Sequence, residues 1–261
     1  MQPVIHRRKV LRLAAGLPLL ALAGPARAAR AALIERLIVE ARPLPRVSER
    51  IDYISGKLIG IRYQANTLIG SPNLPEKFVV RDDAFDCVTY CEVALAAAIA
   101  RDMSEFETAL RRIRYDHGRV QYDQRNHYFA DWCRRNIENG ICRPVAIEPS
   151  VKFDKMLTWH GEFGSRRVSI TAVTRATMMA NARLLAPGDI IGFTSGRPGL
   201  DYYHTGLIAF GRNGELLVRN ASQHRGRVVE DKMTDFAAMN PVHTVTLLRA
   251  AEPAPPVAER R

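Results

Sequence analysis

The sequence predicts an α+β fold, with helices first and an antiparallel sheet second. Three observations carry this. The run VALAAAIA (93–100) is apolar on nearly every side and lacks Gly and Pro, the pattern of a buried central helix. The second half changes to the shorter period of strands, in DIIGF (189–193), HTGLIAF (204–210) and ELLVR (215–219). No glycine-rich turn links a strand to a helix, so a parallel nucleotide-binding sheet has no support.

The elements follow in order. Ala31 to Glu40 has one apolar face and reads as a helix stopped by Arg42-Pro43-Leu44-Pro45. Residues 47–63 hold a second helical start and then a loop with Gly56 and Gly60. Asn66 to Glu76 is turn-rich, and Phe78-Val79-Val80 reads as a short strand. Asp86 is placed to cap the central helix, whose first turn opens at Cys87. Ser104 is expected to cap a further amphipathic helix through Arg112. Tyr115 to Arg125 alternates loosely about Gly118, and Asn126 to Asn136 reads as helix. Residues 166–182 begin with β-branched alternation and end helical. After the Pro187-Gly188 turn comes the strand 189–193, and then a hairpin of 204–210 with 215–219 about residues 211–214. Val228-Val229 and Val242 to Arg249 supply further strands, and there is no internal repeat.

The N-terminus reads as an export signal. His6-Arg7-Arg8-Lys9 is a basic start, Val10 to Gly24 a short apolar core, and Ala26-Arg27-Ala28 a cleavage signature. Arg7-Arg8 with Val10-Leu11-Arg12 suits the twin-arginine route, and the general pathway fits almost as well. The run is short for a membrane span, so the expectation is a periplasmic or secreted chain with no stable membrane span after processing; an uncleaved anchor is the alternative. The expected organisation is a leader over 1–28, one domain over 29–250 and a flexible Pro-rich tail over 251–261. The leader carries five basic and no acidic residues, so the net charge of +11 falls to about +6 on processing. The remaining basic side chains are dispersed, which gives nucleic acid no footprint.

Four cysteines, Cys87, Cys91, Cys133 and Cys142, lie within a short stretch. Cys87 and Cys91 stand one helical turn apart, a poor geometry for a disulfide, and no Cys-x2-Cys or spaced His suggests zinc. Cys133 and Cys142 either close a small loop or remain reduced.

Chemistry concentrates on Cys87. A thiol on the first turn of a helix gains from the unpaired N–H groups there, although the Asp86 carboxylate works against a thiolate. His204, at a strand start, is the candidate base. Across a hairpin centred on 211–214, the position opposite His204 falls near 220–221, which makes Asn220 a cross-strand neighbour with Cβ atoms about 5 Å away. An amide oxygen accepting the imidazole N–H fixes the tautomer, so Cys87, His204 and Asn220 supply nucleophile, base and orienter.

These residues sit in segments that together resemble a known group. FDCVTYCE (85–92), IRYDHGRVQYDQRNHYFADW (113–132), PGDIIGF (187–193), HTGLI (204–208) and NAS (220–222) resemble the bacterial N-acetylmuramoyl-L-alanine amidase-like family of NlpC-type, papain-like cysteine hydrolases. The resemblance runs over about residues 50–249 and implies a papain-like domain that cuts amide bonds in peptidoglycan fragments or muropeptides, without a cofactor or metal. By motif position it makes Cys87 the nucleophile, His204 the base and Asn220 the orienter. These enzymes commonly carry His where this chain has Asn220, which implies retuned activity. Aromatic rings that stack on sugars and an Arg that forks carboxylates occur together in Tyr122, Arg125, His127 and Tyr128, which become expected substrate contacts along with Asp201 and Tyr203. Glu92 is expected to support structure. A stem-peptide endopeptidase and a muropeptide-binding module without catalysis are the alternatives.

Overall fold

A computed structural model describes residues 24–240 and 244–252. Two helices open it, α1 (Gly24–Ala41) and α2 (Val47–Lys57), then strand β1 (Arg62–Tyr63), the hairpin of β2 (Ile69–Ser71) with β3 (Leu74–Lys77), and β4 (Ala84–Phe85). Three helices follow: α3 (Cys87–Ile99), α4 (Met103–Arg114) and α5 (Phe129–Glu138). Next come β5 (Cys142–Pro144), β6 (Ser150–Leu157), β7 (Arg166–Thr174), α6 (Arg175–Ala180) and β8 (Ile190–Thr194). The chain continues with β9 (Tyr202–Phe210), β10 (Leu216–Ser222), β11 (Arg227–Lys232), α7 (Met233–Met239) and β12 (Thr244–Ala250).

Ten strands make one sheet in the order β4-β1-β11-β10-β9-β8-β12-β7-β6, with β5 also on β12. Every pair in it is antiparallel except β1 with β4. Strand alternation sends Leu207 of β9, Ala221 of β10 and Val228 of β11 to one face, where they share a core with Tyr90, Cys91, Val93 and Leu95 of α3. Ile208, Val218 and Phe193 point to the other face and pack with Met233 and Phe236 of α7. The expected helix-on-antiparallel-sheet arrangement is therefore present, and both faces of the central strands are covered.

Local chemistry explains the element ends. The Asp86 carboxylate accepts the N–H groups of Val88 and Thr89 at 3.1 and 2.8 Å, while the Thr89 hydroxyl accepts the Asp86 N–H at 3.0 Å. Gly188, in the turn before β8, has φ +82, and a Cβ there would lie 2.8 Å from the Ser48 carbonyl, so the turn requires glycine.

Several expectations are corrected. Residues 78–80 are not a strand: β3 ends at Lys77, and the Val79 carbonyl accepts from Arg114 Nη1 at 2.7 Å instead of a neighbouring strand. The fourth helix is capped by Asp102, which accepts the Glu105 N–H at 2.9 Å, and not by Ser104, which lies inside it. The helix expected over 126–136 begins at Phe129 because Asn126 continues the preceding loop, its N–H bonded to the Arg114 carbonyl at 3.0 Å. The chain over 166–182 is both, strand β7 and then α6. β5, β6, α7 and the small hairpin β2–β3 went unpredicted. The first two residues of the expected tail are tied to the domain: the Ala251 N–H bonds to the Ile141 carbonyl at 2.8 Å, and the Glu252 carboxylate accepts the Val47 N–H at 2.9 Å. The expected leader core and most of the tail lie outside the described residues, and Ala26-Arg27-Ala28 falls on the backbone of α1. No helix among the described residues is long and apolar enough to cross a membrane.

Candidate active site

Cys87 is the first residue of α3 and keeps part of its surface open. Ile208 of β9 exchanges both its backbone bonds with the β8 side, its N–H to the Asp189 carbonyl and its carbonyl from the Gly188 N–H, each at 2.8 Å. The odd-numbered residues of β9 therefore aim their N–H groups at β10. Pairing on that side stops at Leu207 with Arg219. Beyond it the strands part, and the backbone N–H groups of Thr205, Cys87 and Val88 lie near enough to the Cys87 sulfur to favour its anion. The thiol thus sits where β9 and β10 separate, against the backbone of the residue that follows His204. Burial, and then the Asp86 carboxylate, push the Cys87 thiol up to about 12 against these three donors. At neutral pH the sulfur holds its proton and needs a base.

His204 lies on β9 at this opening. Its ring stacks beside the Phe193–Phe236 pair, 6.1 Å from Phe193 and 5.7 Å from Phe236 between centroids, the two phenyl rings being 4.6 Å apart. Burial among these rings lowers its pKa, and the contacts with Asn220 and Asp231 work in the opposite direction. Nε2 pairs with Asn220 Oδ1 at 3.0 Å. The expected pairing forms, but not by the expected register. Leu207 faces Arg219 and Phe210 faces Leu216, so Asn220 is diagonal to His204 and not opposite it. The diagonal is open because Gly206 lies between: a Cβ there would stand 3.3 Å from Asn220 Cβ and 2.7 Å from the Arg219 carbonyl. Asn220 is buried, and its Nδ2 donates to Asp231 Oδ2 at 3.4 Å.

Two further groups were not singled out from the sequence. Tyr63 of β1 lies close enough for Cys87 and Asp86, after burial, to raise its hydroxyl pKa. Asp231 of β11 stands behind Asn220. Neither has a sequence signal: Tyr63 reaches the site through a pairing of β1 with the distant β11, and Asp231 through a register of β10 with β11 that the sequence leaves open.

The other expected site residues divide. Tyr122 sits in a 3-10 turn over Tyr122–Gln124, stacks on Phe163 at 5.6 Å, and donates its hydroxyl to Glu162 at 2.7 Å. His127 lies edge-on to Tyr122 at 4.5 Å, its Nε2 pairs with the Tyr122 carbonyl at 2.6 Å, and burial pushes it down to about 4. These rings and His160 form one partly open aromatic cluster. Arg125 is held at 4.9 Å from the Tyr122 ring centroid and pairs with the buried Glu76 at 3.1 Å. Tyr128 is buried and its hydroxyl accepts the His160 N–H at 2.8 Å. Asp201 is buried too; its carboxylate accepts the Ala130 N–H at 2.7 Å and the Tyr202 N–H at 2.8 Å, which ties the start of β9 to α5. Tyr203 is half-buried, and its hydroxyl has no hydrogen-bond partner among the described residues. Glu92 forms a buried ion pair with Arg114 at 2.7 Å, away from solvent. All four cysteines are free, Cys133 and Cys142 included. No cluster of metal-ligating side chains occurs among the described residues.

Comparisons with known proteins bear on the fold and the family. The fold is similar to crystal structures of an N-acetylmuramoyl-L-alanine amidase from Bacteroides uniformis. One is 25% identical, with a TM-score of 0.70, over 79% of this chain and 99% of that chain; another is 26% identical, with a TM-score of 0.67, over 76% and 97%. A Legionella pneumophila protein, 20% identical, is similar in fold alone, with a TM-score of 0.75 over 88% of this chain and 97% of its own. No match is found among curated proteins. The family profile described as N-acetylmuramoyl-L-alanine amidase-like matches residues 53–245, from α2 through every catalytic candidate to β12, and the chain belongs to that family.

Proposed function

We propose that this chain is an exported cysteine amidase of papain-like, NlpC-type architecture that hydrolyses the bond between N-acetylmuramic acid and L-alanine in peptidoglycan fragments. The observation that supports the reading is the pairing of Asn220 Oδ1 with His204 Nε2 at 3.0 Å on β9, with Cys87 opening α3 near the Thr205 backbone of the same strand. The family and the Bacteroides uniformis amidase supply the class of bond. The organisation in this reading is a leader over 1–28, a domain over 29–250 and a tail over 251–261 whose first two residues bond back to the domain.

The reaction starts from an uncharged pair. His204 takes the Cys87 proton as the sulfur attacks the amide carbonyl, because a thiol this buried is a poor anion unless its proton is removed in the same event. Backbone N–H groups at the start of α3 face the developing oxyanion. The imidazolium then protonates the leaving amine of L-alanine, the thioester remains on Cys87, and His204 draws a proton from the water that releases it. Tyr122 and His127 offer faces for the sugar, while the buried Tyr203 hydroxyl offers no donor to it. Arg125, Tyr128 and Asp201 contribute by holding these surfaces through the bonds described above.

Mass spectrometry of a defined disaccharide–tetrapeptide incubated with the processed chain tests this. The expected products are free disaccharide and intact tetrapeptide, and none should form with folded Cys87→Ala. Cleavage inside the peptide makes the chain an endopeptidase. Hydrolysis by Cys87→Ala ends the cysteine reading, and tight binding without cleavage by the parent makes it a binding module.

A further inference from the structure

The third residue of the site is a neutral amide, and this raises two problems that its carboxylate neighbour answers. The first is orientation. A carboxamide turned either way fits the same space, and the two orientations dictate opposite tautomers. With Oδ1 toward His204, Nε2 must carry the proton, leaving Nδ1 free to act as a base. With Nδ2 toward His204, Nε2 must be the acceptor, Nδ1 is protonated, and the ring cannot take the thiol proton. The second problem is charge. The imidazolium formed during attack lies against Phe193 and Phe236, where burial disfavours a cation and a neutral amide offers little compensation.

We propose that Asp231 is the positioning residue of this site: through Asn220 it selects the Nε2–H tautomer of His204, and it supplies the negative charge that the amide lacks. Asp231 Oδ2 accepts from Asn220 Nδ2 at 3.4 Å, and a carboxylate can only accept, so the amide must turn Oδ1 toward His204 Nε2. The strand register fixes the placement. Asn220 faces Val229 and Val218 faces Asp231, so Asp231 is diagonal to Asn220, as Asn220 is to His204. Three side chains on neighbouring strands thus form one line along a single face of the sheet. The charged and titratable groups facing this line are few. Arg225, from the turn after β10, pairs with Asp231 at 3.8 Å and partly offsets its charge. Tyr203 of β9 stacks at 6.4 Å from His204. Cys87 approaches from α3 through Thr205. Phe236 of α7 is apolar, and Lys232 turns away to Glu215 at 2.8 Å.

The inference rests on the cysteine-amidase reading for its catalytic consequence, but its structural core can be read without turnover. The tautomer and pKa of His204 are measured by 15N NMR of the imidazole in the Cys87→Ala chain, which carries out no chemistry in that reading. The expected result is an unprotonated Nδ1 at neutral pH. Asp231→Asn keeps the shape but can present an NH2 to Asn220, so the Nδ1–H form should appear, and the pKa should fall by about half a unit to one unit. Arg225→Gln leaves Asp231 in place and removes its counter-cation, so the pKa should rise. Glu215→Gln, which touches only Lys232, should change neither. In the active chain Asp231→Asn should lower kcat on the order of tenfold or more with KM little changed, and move the acid limb of kcat/KM to lower pH. A merely structural Asp231 predicts that the isosteric Asn restores everything. A parent with Nδ1 protonated, or the same tautomer and pKa in Asp231→Asn and Arg225→Gln as in the parent, overturns the inference. Hydrolysis by Cys87→Ala overturns the cysteine reading alone and leaves the NMR result to stand by itself. Should Asp231→Asn fail to fold, Arg225→Gln decides the matter through its opposite shift.

Discussion

A thiol held near 12 and an imidazole held below its ordinary value form a neutral pair, and this has a measurable consequence. Neither group is charged between weakly acidic and alkaline pH, so kcat/KM should rise once with pH, through a pKa below the usual histidine value of about 6.5, and then stay level past pH 9. The sign follows from the base: protonated His204 cannot accept the thiol proton, so activity is lost on the acid side. A thiolate–imidazolium resting pair would instead give a profile falling in mild alkali. Asn220→Ala should cost on the order of 10 to 100-fold, since it leaves Nε2 without an acceptor, and Asn220→His should match the parent or exceed it. Cys91→Ala should keep activity, because Cys91 is buried one turn into α3, with Thr205 Oγ1 at 3.9 Å and no path to substrate. Rates for these variants on one purified muropeptide, with circular dichroism for folding, check all three. The helix-opening place of Cys87 and the pairing of His204 with Asn220 were legible in the sequence because each follows from local rules, a capping Asp before a Cys and a hairpin that brings β9 beside β10, although the hairpin register came out diagonal. Asp231 was not, since its place depends on which residue of β11 faces which of β10.

At the scale of elements, the opening between β9 and β10 is set by Gly206. Alanine there would place Cβ 2.7 Å from the Arg219 carbonyl, a backbone atom that cannot swing aside, and 3.3 Å from Asn220 Cβ. Gly206→Ala should therefore push the strands apart, cost about 1–3 kcal/mol in urea denaturation, and lower kcat further by moving Asn220 off His204. Activity unchanged in a stable Gly206→Ala chain would mean that the diagonal contact does not need this spacing. The glycine of HTGLI was visible in the sequence as part of a motif, but its reason was not, because the clash is with a residue thirteen positions on. The same limit explains the errors. Phe78-Val79-Val80 has strand composition, yet Arg114 takes the Val79 carbonyl and Phe78 lies under Arg111, whose guanidinium is 4.1 Å from the ring centroid. Ser104 and Asp102 both suit a helix cap, and only the fold decides between them. α3, β8, β9 and β10 were legible because composition and period agree with the tertiary setting.

Across the whole molecule, the apolar content of the N-terminal region changes role near Ala28. Val10 to Gly24 is the expected leader core, whereas Ile34, Leu37, Ile38 and Ala41 of α1 are buried in the main core beside α2 and α3. Cleavage after Ala28 would leave every residue described as buried in place, and a chain starting at Ala29 should unfold at the same denaturant concentration as a longer one. Starting at Arg42 instead would strip four core side chains, each large one worth up to about 1.5–3 kcal/mol, and should be strongly destabilising. The charge argument runs the same way: five of the basic residues behind the +11 total belong to the leader, which suits insertion into an export pathway more than any binding by the folded domain. N-terminal sequencing of the chain from the periplasmic or external fraction should begin near Ala29. Recovery with Met1 intact from the cytosol would remove the export proposal, and with it the access to wall polymer that the amidase reading requires. Changing Arg7 and Arg8 together to Lys separates the two routes, since a twin-arginine signal should be blocked while the general pathway, which reads only positive charge before an apolar core, should continue to process the chain at the same site.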